Sequence, residues 1–404
     1  MTLKTRLSAT IAALLVVSVP ATLLAQEGEG PPRANAQRGQ GGGGGGGGGP
    51  GGQQARPPTA EEIAQLPAER RIPAEQTAAL NKNPSWKAPR TSWGHPSIEG
   101  TYSTDDMRGI PRDRPQALGT QESLPQEQFL QRAVQQNTGR TRAATTETFL
   151  RNEWGTRTFG FTSLIVDPPD GRQPPVNDTG RARQQASTGR GSFTSERFDS
   201  FADFSLYDRC IGLGINRGMG VAIYGNGIRI AQSPDAVTIT YEMIHETRVI
   251  KLDRNRPYVD VPQFTGTARG YWDGDTLVVE SQGYTDRSSV GGGPNSVNLK
   301  TTERIRRVDP EMLEYRITIN DPDTYTAPFT VRTMWTTQPN YYAYEYSCHE
   351  GNFAVGGGLA GERALDRQIA EAIAAGKEPP KRPRANIYGD PEEGAQVFDI
   401  NAGE

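Results

Sequence analysis

The most constraining feature of this sequence is a series of short apolar segments with strand periodicity between residues 227 and 348. Turn residues separate the segments, and the pair Asp273 and Gly274 is typical of a tight hairpin because both tolerate positive φ angles. About eight locally connected strands normally close on themselves, because closure removes exposed edges. We therefore predict a mainly β fold, an antiparallel meander that closes into a barrel, with a sandwich as the alternative. The predicted strands are Ile228–Gln232, Val237–Ile250, Thr267–Trp272, Thr276–Ser281, Thr301–Val308, Leu313–Ile319, Phe329–Trp335 and Tyr341–Cys348.

The part of the chain that precedes these strands has a different composition. Residues 86–226 are rich in Arg, Gly, Pro, Asp and Gln and contain few long apolar runs. We predict that they form a loop-rich extension that wraps around a β-barrel core at 227–350. Together with the segment that follows the core, they give one predicted domain over residues 86–377.

A C-terminal helix is predicted over residues 360–376. Gly376 and Pro379 supply the stop signals that end a helix. The tail at 378–404 has no such periodicity, and we expect it to be irregular. The apolar residues that recur every four positions and indicate the helix are Leu365, Ile369 and Ile373.

The first 25 residues have the layout of a secretory signal peptide. Lys4 and Arg6 precede an apolar run, and the small Ala25 stands before the polar Gln26. Polar residues and a proline interrupt the run, and no basic stop-transfer cluster follows it, so we favour export with cleavage over a membrane anchor. We expect a periplasmic or secreted protein that has no membrane span after cleavage.

Residues 26–80 are predicted to form a disordered tether, with a short peripheral helix as the alternative over Thr59–Ala79, where the helical pattern is weak. They are rich in Gly, Gln, Pro and Arg, and glycine is uninterrupted from Gly41 to Gly49. Such a segment cannot bury enough apolar surface to offset the entropy lost on ordering.

Charge and cysteine content narrow the function classes. The net charge of −3 argues against a nucleic-acid-binding protein, which needs a basic face to neutralise phosphates. The only cysteines are Cys210 and Cys348, and an oxidising compartment would let them pair. We predict that they form a disulfide worth about 4–5 kcal/mol from chain entropy, with two separate buried thiols as the alternative.

Histidine chemistry has few candidates in this chain. If Val237–Ile250 is one strand, alternation places His245 in the apolar row with Tyr241, whereas Arg248 lies in the other row. An inward histidine is a candidate general base or ligand contact, and a core histidine bonded to a carbonyl is the alternative. The three histidines are His95, His245 and His349.

The end of the last predicted strand is the second polar concentration. His349 and Glu350 are neighbours, so in a regular strand they point to opposite sides and form no dyad unless a turn at Gly351 changes this. One reading places them at a cavity mouth beside the disulfide as catalytic residues. The other reading is a strand end that Cys348 fastens.

Other chemistries lack sequence support. His245, His349 and a carboxylate have no metal-site spacing, and no dinucleotide fingerprint or serine-hydrolase elbow occurs, so we predict no metal and no cofactor. The cluster Arg108–Arg114 lies beside the acidic pair Asp105 and Asp106. It could hold an anionic group, but we favour a structural role in fastening a loop to the barrel.

Several segments together resemble a family of secreted bacterial proteins whose function is not settled. They are DRCI at Asp208–Ile211, GYWDGDTLVVES at Gly270–Ser281, the Glu303–Pro322 stretch and EYSCHEGN at Glu345–Asn352. The resemblance covers about Trp93 to Arg363 and implies kinship without an activity. The strand pattern is also similar to lipocalin-like barrels, which is an architectural analogy.

Two functions from different classes follow. In the first, the protein binds a small apolar, aromatic or glycosidic molecule. In the second, it is a cofactor-independent lyase, isomerase or hydratase that uses a His/Glu/Tyr acid–base set. The predicted catalytic residues are His245, His349 and Glu350, and the predicted ligand contacts are Tyr241, Trp335, Tyr344 and Arg248.

Overall fold

A closed β-barrel forms the centre of the computed structural model. The strands are β1 Gly100–Ser103, β2 Ile165–Asp167, β3 Gly227–Gln232, β4 Ala236–Tyr241, β5 Thr247–Lys251, β6 Thr267–Asp273, β7 Thr276–Gln282, β8 Lys300–Asp309, β9 Met312–Asn320 and β10 Phe329–Thr336. The structure describes residues 57–71, 86–145, 153–187, 198–213, 215, 218–222, 224–288, 290, 295–337, 341 and 344–381. The predicted signal peptide and most of the predicted tether and tail lie outside these residues.

The strand order runs β1, then β3 to β10, and β1 also pairs with β10, so nine strands close the barrel. The short strand β2 pairs with the edge of β10. The prediction of a mainly β fold that closes into a barrel, with a loop-rich N-terminal extension and a C-terminal helix, is therefore confirmed. The Asp-Gly hairpin is also present, because Asp273 pairs with Thr276 and Gly274 has φ +59°.

The barrel is mixed rather than purely antiparallel. Strand β6 lies parallel to β5, and the two share the single pair Lys251 and Arg269. The closing strand β1 comes from the segment predicted to be a loop-rich extension, and it pairs with β3 and β10. A core made of residues 227–350 alone would not close, so the predicted boundary between extension and core was wrong.

The long strand predicted over Val237–Ile250 is a hairpin instead. Strands β4 and β5 pair antiparallel through Thr240 and Thr247, and the chain reverses between them. Two non-glycine residues in the reversal, Ile244 and His245, have positive φ angles of 63° and 45°. Because no Gly, Pro or Asn marks this turn, the sequence carried no signal for it.

The last predicted strand, Tyr341–Cys348, is also absent: its described residues, 341 and 344–348, have no strand structure. Strand β10 pairs with β9 along one edge and with β1 and β2 along the other. With both edges occupied, no ladder remains for a further strand.

The described helices lie outside the sheet. They are α1 Ala60–Ala64, α2 Gln126–Thr145, α3 Asp178–Ser187 and α4 Ala354–Ala374, and short 3₁₀ turns occur at Ala68–Arg70, Asp105–Met107, Gln116–Leu118, Phe201–Asp203 and Met243–His245. The predicted C-terminal helix is α4, which begins earlier than expected. None of the described helices combines the length and apolarity needed to cross a membrane.

At residues 57–71 the structure differs from the predicted disordered tether. Arg70 is fully buried, and its Nη1 donates to Gln136 Oε1 at 2.6 Å and to Thr158 Oγ1 at 2.9 Å. Leu66 is buried as well. The prediction of disorder is therefore wrong for this stretch, where helix α1 confirms the alternative of a short helix and Arg70 binds the extension.

A buried ion pair crosses the barrel interior. Arg248 on β5 donates from Nη1 and Nη2 to Glu303 Oε2 and Oε1 on β8, at 2.9 and 2.6 Å. Tyr315 on β9 donates to Glu303 Oε2 at 3.0 Å. Both charged side chains are at least nine-tenths buried, and two strands separate β5 from β8 in the sheet. The pair therefore joins non-neighbouring walls of the barrel.

We predict that Glu303→Leu lowers the free energy of unfolding by about 3–5 kcal/mol, because it leaves the Arg248 guanidinium buried without a counter-charge. Urea denaturation measures the loss. The double variant Arg248→Met/Glu303→Leu should recover much of it, since no buried charge remains. The exposed pair Arg304 and Asp273 provides a control, in which Asp273→Asn should change stability little. A single variant as stable as the wild type would contradict the role of the pair.

Candidate functional site

Four strand ends meet at one end of the barrel, which we call the closure end. Ser103 at the end of β1 pairs with Gly227 at the start of β3 and with Thr336 at the end of β10. Ile228 pairs in turn with Tyr241 at the end of β4. The segments that leave these strands therefore come together, and they carry the buried acidic residues Asp105, Asp106 and Glu242.

An asparagine bridges two carboxylates at the closure end. The Asn226 side-chain amide donates to Asp105 Oδ1 at 2.8 Å and to Glu153 Oε2 at 3.4 Å. Asp105 Oδ2 accepts a further hydrogen bond from Ser103 Oγ at 2.6 Å. Asp105 is 4% exposed and Asn226 is also 4% exposed. Two acidic groups are thus held close together where water is largely excluded.

A third carboxylate lies on the neighbouring strand end. Tyr341 Oη donates to Glu242 Oε2 at 2.5 Å. Both side chains pack on Gly227, where an added Cβ would lie 2.5 Å from Glu242 Oε2 and 2.7 Å from Tyr341 Oη. Glycine is therefore required at this position so that the acid and the phenol approach the backbone.

Burial and mutual repulsion alter the protonation of this cluster. Burial, followed by the nearby Glu153 charge, raises the pKa of Asp105 to about 7, against the Ser103 hydrogen bond and Arg108. Burial is also the main cause that raises the pKa of Glu242, and Glu153 adds to it. The pKa of Tyr341 is raised by burial and by the Glu153 charge. A carboxyl group with a pKa near 7 can both donate and accept a proton at neutral pH.

Three tyrosine hydroxyls meet one another, and two of these tyrosines, Tyr224 and Tyr346, lie on the segments that carry Asn226 and Tyr341. The Oη atoms of Tyr207 and Tyr224 are 3.1 Å apart, those of Tyr207 and Tyr346 are 3.2 Å apart, and those of Tyr224 and Tyr346 are 3.4 Å apart. The rings of Tyr224 and Tyr346 are nearly parallel, with centroids 6.3 Å apart. All three side chains are half-buried. The closure end therefore combines aromatic surface with hydroxyl and carboxylate groups.

The disulfide between Cys210 and Cys348 is present, as predicted. It joins the segment that carries Tyr207 to the segment that carries Tyr346. Asn352 Nδ2 reinforces the junction by donating to the Asp208 carbonyl at 2.9 Å. The disulfide thus holds two members of the tyrosine trio in place.

The placement of His245 on the inner wall was wrong. The β4–β5 reversal turns His245 into an exposed loop residue, whose backbone N–H donates to the Glu242 carbonyl at 3.0 Å. The residues His349 and Glu350 are exposed in the turn that follows Cys348. No described contact brings the three predicted catalytic residues together, and their catalytic roles stay predictions.

The predicted ligand contacts do not share one cavity. Tyr241, Trp335 and Arg248 lie in the barrel interior, whereas Tyr344 is 67% exposed. The Trp335 ring stacks on Tyr315 at 4.5 Å, and its Nε1 donates to the Gly218 carbonyl at 3.1 Å. Arg248 faces inward because the reversal changes the parity that a continuous strand would have. The polar atoms of Trp335 and Arg248 thus bind other parts of the chain.

The sequence distinguishes Asp105 only as a member of the acidic pair Asp105 and Asp106. Its neighbour Asp106 has the expected fastening role, since Thr336 Oγ1 donates to it at 2.6 Å and the Arg157 backbone N–H donates to it at 2.8 Å. Arg108 also has a structural role, because its Nε donates to the Glu153 carbonyl at 2.7 Å. Nothing in the sequence distinguished Asp105 from Asp106, and residue types alone did not reveal that Glu153, Glu242 and Tyr341 meet it.

Comparison with known proteins yields no relative: no protein-family profile matches the chain, and no curated protein is significantly similar to it. The resemblance to secreted bacterial proteins therefore stays a prediction. Fold and geometry define a class, a closed mixed β-barrel protein with a carboxylate and tyrosine cluster at one end.

Asp105 is expected to make stability depend on pH. Its pKa is about 7 in the folded protein and about 4 when unfolded, so folding takes up a proton between these values. The contribution of Asp105 to the free energy of unfolding therefore falls as pH rises from about 4 to about 7. Asp105→Asn removes that dependence, so the variant should gain stability relative to the wild type across this range.

Urea denaturation at several pH values between 4.5 and 8 measures this difference. The exposed Asp260→Asn serves as a matched control and should leave the pH profile unchanged. Parallel profiles for Asp105→Asn and wild type would contradict the raised pKa.

Proposed function

We propose that this chain is an exported β-barrel protein that binds a small aromatic or glycosidic molecule at the closure end. The observation that carries the proposal is the tyrosine trio, because Tyr224 and Tyr346 lie on the same short segments as Asn226 and Tyr341, which bind the carboxylates of the acidic cluster. Aromatic faces stack on sugar or phenyl rings, while carboxylates accept hydrogen bonds from hydroxyl groups. A few convergent polar groups beside aromatic surface are typical of small-molecule sites.

The barrel interior supports this choice of location. Its centre holds the Arg248–Glu303 ion pair and the stacked rings of Tyr315 and Trp335. These groups satisfy one another, so they offer a ligand few free donors or acceptors. The half-buried groups at the closure end are closer to solvent, and a purely apolar ligand fits them less well than a hydroxylated one.

Two features support export. The signal-peptide layout at residues 1–25 is the first, and the disulfide between Cys210 and Cys348 is the second. Disulfides persist in oxidising compartments such as the bacterial periplasm. We therefore propose a periplasmic or secreted location.

Ligand binding can be tested with the purified protein and a panel of free sugars, alkyl glycosides and phenyl glycosides. Native mass spectrometry identifies binders, and calorimetric titration gives their Kd. Tyr346→Phe removes one hydroxyl from the trio and should raise the Kd about tenfold, because a buried hydrogen bond is lost. Tyr271→Phe, on the outer face of β6, is the matched control and should bind normally.

A different pattern of binding losses among the variants would place the ligand elsewhere in the protein. If Tyr346→Phe binds as the wild type does while Trp335→Phe loses the ligand, the molecule occupies the barrel interior and the closure-end proposal fails. An absence of binding across the whole panel would reject the glycosidic and aromatic classes.

A specific observation favours a second function, acid–base catalysis by a lyase, isomerase or hydratase. Asp105 has a pKa near 7 and lies with Glu153 on the same asparagine, and Tyr341 bonds to Glu242 nearby. Protonated Asp105 would donate a proton to the bound molecule, and Glu242 would accept one. This set differs from the predicted His245, His349 and Glu350, although it keeps the carboxylate and tyrosine types.

Turnover of the ligands found above would test this second function. Asp105→Asn should keep binding within about threefold but reduce the rate by about a hundredfold or more, because the variant cannot transfer a proton. Wild-type activity should fall as pH rises through about 7, as Asp105 loses its proton. Nuclear magnetic resonance spectra of the ligand measure the turnover rate of the variant and the pH dependence of wild-type activity. Equal turnover in the variant would remove Asp105 as the acid.

A further inference from the structure

Three arginines form a row across the outer wall of the barrel. Arg304 on β8 pairs directly with Arg316 on β9, and Arg316 pairs with Arg332 on β10. The register also aligns a row of threonines two positions away, namely Thr302, Thr318 and Thr330. Both rows point away from the interior, since the alternate residues of these strands face the core.

Like charges opposite one another in a sheet are unfavourable, so this row costs stability unless anions offset it. Arg304 has an exposed ion pair with Asp273 at 2.8 Å. Arg316 Nε lies 2.6 Å from Glu314 Oε1, but Glu314 also pairs with Arg306 at 3.1 Å. A single carboxylate, Glu314, is therefore shared by Arg306 and Arg316.

Arg332 is the least compensated of the three. It is 7% exposed, and its buried Nε has no hydrogen-bond partner within the described part of the chain. Its guanidinium lies 4.1 Å from the ring centroid of Phe161, which gives cation–π attraction without neutralising the charge. Burial and the neighbouring Arg316 lower its pKa to about 10, which still leaves it charged at neutral pH.

A groove of about 430 Å³ lies over these rows. The three arginines and three threonines line it with guanidinium and hydroxyl donors. Glu122, Val166 and Asp167 complete the lining, and Asp167 continues the threonine row because it pairs with Thr330. Glu122 and Asp167 are exposed, and the Glu122 charge, with that of Glu314, partly offsets the lowering of the Arg332 pKa by burial.

We propose that this groove binds a small molecule that carries a phosphate or carboxylate group. Guanidinium groups match both oxyanions with paired hydrogen bonds, and the threonine hydroxyls supply further donors. The Glu122 and Asp167 carboxylates in the lining accept hydrogen bonds, so the molecule also carries hydroxyl or amino donors. Such a ligand supplies the negative charge that the arginine row lacks.

This site is independent of the closure-end proposal. It lies on the outer faces of β8, β9 and β10 and shares no residue with the tyrosine trio or with Asp105. Loss of oxyanion binding would therefore leave glycoside binding intact, and the reverse also holds.

Thermal unfolding of the full chain tests the proposal with inorganic phosphate and with citrate, each compared with sodium chloride at equal ionic strength. Ligands that bind only the folded state raise the Tm in proportion to their occupancy. We expect phosphate, citrate or both to raise the Tm beyond the chloride value, and the stronger of the two identifies the preferred oxyanion. Calorimetric titration then gives the Kd.

The variants Arg316→Gln and Arg332→Gln should raise that Kd about tenfold or more. In chloride alone they should unfold at or above the wild-type Tm, because each removes a like-charge contact. The matched control is Arg269→Gln on β6, whose guanidinium is paired with Glu280 at 2.9 Å, and it should leave the Kd unchanged. If Arg332→Gln does not fold, Arg316→Gln decides the question.

Two outcomes would overturn the proposal. One is a Tm in phosphate and in citrate equal to that in chloride. The other is equal weakening by Arg269→Gln, which would show attraction by general charge rather than by the groove.

Discussion

The constraint on which the rest of the barrel depends is that the buried charges of Arg248 and Glu303 neutralise each other, since neither can be left alone inside it. Two charges buried together must satisfy each other, and the bidentate geometry with Tyr315 does so inside the barrel. The pair connects β5 to β8, which matters because β5 and β6 share only one residue pair in the sheet. It also fills the centre of the barrel with the chain's own polar groups, and so moves the candidate binding site to an end.

Barrel closure and the candidate site use adjacent residues. Strands β1 and β10 meet through Ser103 and Thr336, and Asp106 accepts a hydrogen bond from Thr336 beside that pair. Asp105 precedes Asp106 and turns toward Asn226 instead. The turn that closes the barrel therefore also buries the carboxyl group whose pKa is raised. Stability and proton chemistry are coupled in one short segment.

The two proposed binding regions differ in the physical reason for their existence. At the closure end, acidic groups are crowded together and are relieved by protonation or by hydrogen bonds from hydroxyl groups. On the outer wall, cations are aligned by strand register and are relieved by an anion. Arg316 and Arg332 become neighbours only because β9 and β10 pair in one particular register. A shift of one residue would turn one of the two arginines to the other face.

By itself, the sequence determined the local elements: all the strands from Ile228 to Trp335 except the β4–β5 pair, the Asp-Gly hairpin, the C-terminal helix and the pairing of its only two cysteines. These depend on periodicity, turn chemistry and composition, which act over a few residues. Tertiary structure alone decided the reversal at Ile244 and His245, the closing strand β1, and the meeting of Asp105, Glu153 and Glu242. Each arises from contacts between distant segments, where packing overrides local preference, and no spacing along the chain encodes them.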